Sequence, residues 1–161
     1  MTLNNLIGIS LEQIKIDHIT IKRLITAAER NIADSKITAM STENRFDTAY
    51  KAIMQIANAA LQANGYRTLT SKPGHHHTMI QLLAKTLKID NNTVILLDVM
   101  RKQRNFADYS GDIISESTMK ECISQAEKLL KQFNDWFANH SSQHSAMVQM
   151  PSVEGECSQH S

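Results

Sequence analysis

Apolar residues recur along this chain at steps of three and four, and that rhythm lays out helices. Ile14, Ile21, Ile25, Ala28 and Ile32 follow one another at seven, four, three and four, so the stripe predicts a first helix over residues 11–36. Ser10 and Gln13 fit a capping box at its start, each satisfying a free backbone N–H of the first turn. The isoleucines lower helix propensity, which makes strand pairing the competing reading for residues 14–21; the length of the pattern decides for helix. Phe46, Tyr50, Ile53, Ala57, Ala60 and Leu61 form one face of a second helix over residues 42–64, with Ser41 as N-cap and Gly65 as left-handed terminator. Its alanines imply close approach of a neighbouring helix.

The linker "YRTLTSKPGHHH" leads into a shorter third helix over residues 76–87. "KIDNN" breaks it, with Asn91 or Asn92 as cap of a fourth helix over residues 93–109, ended by Gly111. A fifth helix over residues 116–138 carries Met119, Ile123, Ala126, Leu130, Phe133 and Phe137 at the same steps. The chain has only five glycines and two prolines, none inside these segments, which fits long helices joined by few turns. No alternating pattern of convincing length and no internal repeat is visible. The expectation is an all-α fold: one domain over residues 1–138, a bundle of about five helices with an antiparallel N-terminal helix hairpin. From residue 139 to 161 there is no Lys or Arg, no periodicity, and much Ser, Gln and His, which predicts a disordered C-terminal tail.

Composition narrows the function classes. The 161 residues suffice for one self-contained core, and 42% apolar with 20% charged is ordinary for a globular domain. No apolar run reaches membrane-spanning length, and the first ten residues do not look like a secretory signal, so no membrane association and a cytoplasmic location are expected. Cys122 on a helical pattern and Cys157 in the polar tail do not suggest a disulfide framework. A formal charge of +1 argues against coating nucleic acid by bulk electrostatics, so any such site must be a local cluster. With 5% aromatics, a base-stacking sheet is disfavoured.

That cluster is sought in "RKQRNFADYSG", residues 101–111. On the fourth helix Leu96, Val99, Met100 and Phe106 can share a buried arc, while Arg101, Arg104, Asn105 and Asp108 share another at steps of three and four. This stripe is a candidate site, with a solvated face or a dimer seam as the bland alternative. Arg104 with Asp108, and Asp98 with Lys102, are spaced to pair within the helix. Tyr109 before Gly111 can equally be a packing residue at a helix end. His75, His76 and His77 open the third helix, where free N–H groups favour phosphate and an imidazole has the right chemical type for proton transfer; capping or surface roles are the alternative. Adjacent histidines point in different directions, so no metal site is expected there. His18 reads as a packing or surface histidine, Trp136 and Phe137 as core or interface residues rather than a ligand box, and no phosphate loop or serine-nucleophile elbow competes.

The segments "AAERNIADSK", "FDTAYKAIMQIANAALQANGYR", "GHHHTMIQLL" and "RKQRNFADYSG", in that order, resemble the HEPN superfamily, more narrowly its bacterial HEPN-like helical domain proteins. The resemblance implies a helical bundle that dimerises, with roles in toxin–antitoxin, phage-defence or RNA-processing systems. It implies an RNA or nucleotide ligand, an antitoxin or nucleotidyltransferase partner, and no cofactor. Active members are metal-independent ribonucleases with an arginine, a polar residue and, four to six residues on, a histidine. Arg104 and Asn105 match the first two, and Tyr109 stands at the histidine position. A general base for a 2′-hydroxyl needs a pKa near neutrality, whereas a tyrosine ordinarily titrates near 10, about three units too high. A histidine from residues 75–77 is then the candidate imidazole. The sequence therefore favours a non-catalytic or atypical nucleic-acid- or nucleotide-binding module. A ribonuclease using Arg104 and Asn105 with His75–His77 or Tyr109, and a plain dimerisation scaffold, are the alternatives.

Overall fold

A computed structural model describes residues 2–71, 73–111 and 113–160, with side chains described through residue 140. Cys157 and the tail expected to be disordered thus lie, from residue 141 onward, outside the residues described in full.

The chain begins with a 3-10 turn at Leu3–Leu6 and a short strand β1, Leu11–Gln13. Helix α1 spans His18–Ser35, and α2 spans Thr42–Ala63. Strand β2, Tyr66–Thr68, follows, then α3 at His75–Gln81 and α4 at Leu83–Thr86. Helix α5 covers Asn91–Ser110 and α6 covers Glu116–His160. The expected third helix is present as α3 and α4, broken at Leu82. The fold is all-α, with α1 and α2 as the N-terminal hairpin and one small antiparallel ladder added.

The start of the first helix is corrected. Residues 11–13 pair with the chain beyond α2, Leu11 opposite Thr68 and Gln13 opposite Tyr66. Ser10 cannot cap a helix because its carbonyl accepts from Leu69 N at 2.9 Å, extending this ladder. Asp17 caps instead, its carboxylate accepting from Ile19 N at 3.1 Å and from the Thr20 hydroxyl at 2.7 Å. Gly65, at φ +89°, makes the turn from α2 into the ladder, and its carbonyl accepts from Ile14 N at 2.8 Å.

The other helix ends follow local chemistry. Ser41 caps α2 through Asn44 N at 3.1 Å, as expected. Asp90, not Asn91 or Asn92, caps α5 through Thr93 N at 3.1 Å. Gly111 ends α5 at φ +74°. The hairpin is fastened where Arg45 of α2 donates through Nε to the carbonyl of Ser35, the last residue of α1, at 2.8 Å.

The core lies along α2. Its Phe46, Ile53, Ile56, Ala57, Ala60 and Leu61 are fully buried between α1 and α6, whose Met119, Cys122, Ala126 and Phe133 close the other side. The alanines permit the close approach that their positions implied. Helix α5 leans chiefly on α3 and touches α2 and α4 only lightly. Among its residues Val94, Leu97, Asp98 and Met100 are buried. The arc expected for α5 is therefore half wrong: Val99 is 41% exposed and Phe106 62%. A helix docked along one narrow edge buries one of its two apolar stripes and leaves the other outside.

Candidate functional site

The polar face of α2 and the inner side of α5 meet near the start of α3. Asp47 and Lys51 project from α2 one turn apart, and Gln55 and Asn58 continue the same face. Arg104 of α5 and His76 of α3 close over them. Together they line a groove of about 520 Å³, with Tyr50, Met54 and Met79 as its apolar wall.

Arg104 is held from two directions. Its Nε lies 3.9 Å from Asp47 Oδ1, a loose ion pair with both side chains partly exposed. Its Cζ stands 5.3 Å from the centroid of the Tyr50 ring, a cation–π placement. Expected pairing with Asp108 is replaced by this contact across helices. Asp108 is exposed on the same side, where its charge acts on Asp47. Burial pushes the Asp47 carboxyl above its usual range, Arg104 draws it back, and Asp108 and Glu43 add to the rise.

Tyr50 is almost wholly buried, and burial pushes its phenol up to about 12 against the pull of Arg104 and Arg101. Its hydroxyl has no hydrogen-bond partner among the described residues. His76 lies with its ring centroid 6.4 Å from that of Tyr50 and 4.6 Å from that of His75, which meets it edge-on. Burial lowers the His76 pKa from its ordinary value, and the charges of His75, Arg104 and Arg101 lower it further. The imidazole beside Arg104 is therefore kept neutral at pH 7.

Arg101 and His77 belong to a different cluster. Asp98, buried on α5, accepts from Arg101 Nε at 2.8 Å and from His77 Nδ1 at 2.9 Å. Lys102 stands 3.6 Å from its other oxygen, the pairing expected from the spacing. Burial acts to raise the Asp98 carboxyl, but the hydrogen bonds from Arg101 and His77 outweigh it and hold the pKa down to about 2. This network ties α3 to α5 and so sets the distance between His76 and Arg104.

Asn105 and Tyr109 do not face the groove. They line a shallow depression with Lys102, Phe106 and Ser110 on the outer side of α5, and Tyr109 is 93% exposed. Thus one protomer brings together Arg104 and His76 among the residues singled out in sequence, with His75 behind them. Asp47, Lys51, Gln55 and Asn58 were missed. Their signal was a polar row at 47, 51, 55 and 58 beside the buried face of the helix.

Among the described residues, no group of three His, Cys, Asp or Glu is placed to hold a metal ion, and no helix is long and apolar enough to cross a membrane. A family model, HEPN domain, matches residues 21–136. No curated protein matches the chain.

Proposed function

The chain belongs to the HEPN domain family, and on that premise we propose that it is a binding module whose groove takes the phosphate of a nucleotide or an RNA strand without cutting it. The observation that carries this reading is Arg104, braced on the Tyr50 ring in a groove it shares with Lys51 and only loosely paired with Asp47. The ring fixes where the guanidinium sits, while its fork of N–H donors stays available for bidentate phosphate contact. Asp47 keeps the groove from being strongly cationic, which suits a site that selects its ligand rather than coating any polyanion.

HEPN domains commonly dimerise, and an exposed apolar strip supports a homodimer here. Ile95, Val99, Phe106 and Tyr109 of α5, with Ile113 just beyond, lie open along its outer side. Such a seam also covers Asn105, which gives that residue an interface role. The setting we assign is a toxin–antitoxin or defence-type system with an antitoxin or nucleotidyltransferase partner.

A second reading, metal-independent RNA cleavage, is favoured by one observation: a neutral His76 imidazole shares the groove with Arg104. His76 would take the 2′-hydroxyl proton as that oxygen bonds to phosphorus, Arg104 would stabilise the charge building on the non-bridging phosphate oxygens, and the P–O5′ bond would break with the 5′-oxygen leaving on a proton from water. Asn105 and Tyr109 could join them only from a second protomer.

One experiment separates these. A fluorescently labelled single-stranded RNA is titrated with the full chain in EDTA, read by anisotropy, and then run on a denaturing gel. Binding that weakens with salt, falls about tenfold in Arg104→Ala and leaves the RNA intact supports the binding module. Cleavage lost in both Arg104→Ala and His76→Ala shifts the conclusion to a ribonuclease. Absence of binding at low salt ends the phosphate reading.

A further inference from the structure

A second cavity, of about 290 Å³, shares no residue with the groove around Arg104. It sits where α1 begins, α2 ends and α6 passes both. Ile16 and Ala63 give it an aliphatic surface, and four rings line the rest: His18, Trp136, Phe137 and His140. Phe137 stacks on Phe133 with centroids 5.4 Å apart, and His18 lies 5.7 Å from Phe137. His140 stacks on Trp136 at 4.3 Å. The core ends at Phe133, which is buried; the four rings beyond it are half-buried or exposed around open space.

The polar groups of this cavity are oriented by the backbone. Asn64 donates through Nδ2 to the Ala60 carbonyl at 2.7 Å. A backbone carbonyl only accepts, so the nitrogen must face it, and Oδ1 is the end turned away from the helix. The same reasoning fixes His140, whose Nδ1 lies 2.8 Å from the Trp136 carbonyl. Nδ1 therefore carries a proton, and in the neutral ring Nε2 bears a lone pair. Among the described residues that line the cavity there is no lysine or arginine. Helix α2 brings its C-terminal, electronegative end to it at Ala63 and Asn64. Helix α1 brings its positive end at His18, but the Asp17 carboxylate caps that end. Hydrogen bonds from the Thr20 hydroxyl and the Ile19 N–H hold the Asp17 pKa below its ordinary value, so it is fully charged at pH 7.

We infer that this cavity binds an alkylammonium group, its N–H donors directed to Asn64 Oδ1 and His140 Nε2 and its carbon chain laid against Trp136 and Phe137. Aromatic faces attract a cation, and the end of α2 adds to that attraction. An anion would meet acceptors and a negative helix end. A neutral hydrocarbon would leave both acceptors unserved. The inference is independent of the phosphate reading above. The group it names is carried both by a free alkylamine and by the lysine side chain of a polypeptide.

Trp136 is the single tryptophan of the chain, so its indole N–H gives one NMR signal at the cavity itself. The full chain is titrated at constant ionic strength with n-butylammonium, tetramethylammonium, n-butanol and butyrate. Butylammonium is expected to move the indole signal saturably and to bind about tenfold tighter than butanol. Tetramethylammonium, a cation without N–H donors, is expected to bind more weakly than butylammonium, and butyrate to leave the signal in place. Asn64→Ala should weaken butylammonium about fivefold, whereas Asn64→Asp, which keeps an oxygen there and adds a negative charge, should restore or exceed the original affinity. Titration with 1,4-diaminobutane and with the acetylated, amidated peptide GGKGG separates the two sources, the tighter binder identifying a free amine or a lysine side chain. Butanol binding as tightly as butylammonium makes the cavity merely apolar and overturns the inference. An indole signal that no cation moves, or a butylammonium affinity that both Asn64 variants leave unchanged, overturns it too. Arg104 and RNA take no part in these measurements, so their failure leaves the phosphate reading standing.

Discussion

Arg101 and Arg104 stand one turn apart on α5, yet their surroundings give them opposite characters. Arg101 has a side chain 18% exposed, and its Nε meets the buried Asp98 carboxylate at 2.8 Å. That carboxylate also takes His77, so every member of the cluster is satisfied by another. The Arg104 side chain is 34% exposed, and its nearest carboxylate, itself half-exposed, is 3.9 Å away. It rests on a ring face and looks into a groove. The first arginine is a fastener and the second an open donor. A charged stripe on a helix is therefore not one functional unit; the burial and saturation of each partner decide what each charge does.

The largest expected effect is on the fastener. Asp98→Ala leaves a mostly buried guanidinium without its counter-charge and unties α3 from α5. A loss of about 3 kcal/mol in urea unfolding is expected, given what breaking a buried pair costs. Acid should act the same way. The Asp98 carboxyl titrates near 2 in the fold against an ordinary 3.8. A carboxyl with a depressed folded pKa lends stability that is full above its unfolded value and lost as pH falls through its folded one. The protein should lose stability between those two values, and Asp98→Asn should lack that component. An unchanged urea midpoint in Asp98→Ala would refute the fastener.

Next comes the crossed pair. Arg101→Ala should cost about 2 kcal/mol of stability, whereas Arg104→Ala should cost under about 1 kcal/mol and express itself in RNA affinity. Urea unfolding and anisotropy on the same two proteins check this. The reverse assignment would mean that exposure and saturation do not distinguish the two arginines.

The sequence carried these regions unequally. Helix α2 was legible because its burial face, its Ser41 cap and its Gly65 terminator agree with one another. The strand at Leu11–Gln13 was not, because its partner lies more than fifty residues away and three residues carry no period. On α5 the apolar residues fall on two faces, Val94, Leu97 and Met100 on one and Ile95, Val99 and Phe106 on the other. Periodicity finds such a helix but cannot tell which face the rest of the fold will cover. The same ambiguity hid the split of the polar stripe, with Arg104 turned inward and Asn105 and Tyr109 outward. His76 was recognised by type, while Lys51, Gln55 and Asn58 look like ordinary polar positions until α3 and α5 are laid beside them.

A smaller effect sharpens the open half of the comparison. Asp47 competes with any anion for Arg104, so Asp47→Asn should tighten RNA binding about two- to threefold, the scale of an exposed ion pair. Because the Asp47 carboxyl sits above its usual pKa, it takes a proton more readily than an ordinary aspartate. Affinity should therefore rise as pH is lowered into the acid range, and the rise should be flatter in Asp47→Asn. Anisotropy across pH measures both. Weaker binding in Asp47→Asn would make the carboxylate a ligand contact, contrary to the competitor role.

The smallest effect concerns the surface on which Arg104 rests. The Tyr50 hydroxyl is buried without a partner among the described residues, so removing it takes away an uncompensated polar group and leaves the ring. Tyr50→Phe should shift stability by no more than about 0.5 kcal/mol in either direction and hold RNA affinity within about twofold, since a phenylalanine face still attracts a guanidinium. Tyr50→Leu removes the ring as well and should let Arg104 wander, with a several-fold loss of affinity that the phenylalanine does not show. The pair isolates the ring from the hydroxyl. If Tyr50→Phe weakens binding as much as Arg104→Ala, the hydroxyl itself reaches the ligand, and the contrast between the two arginines rests on a hydrogen bond rather than on an aromatic face.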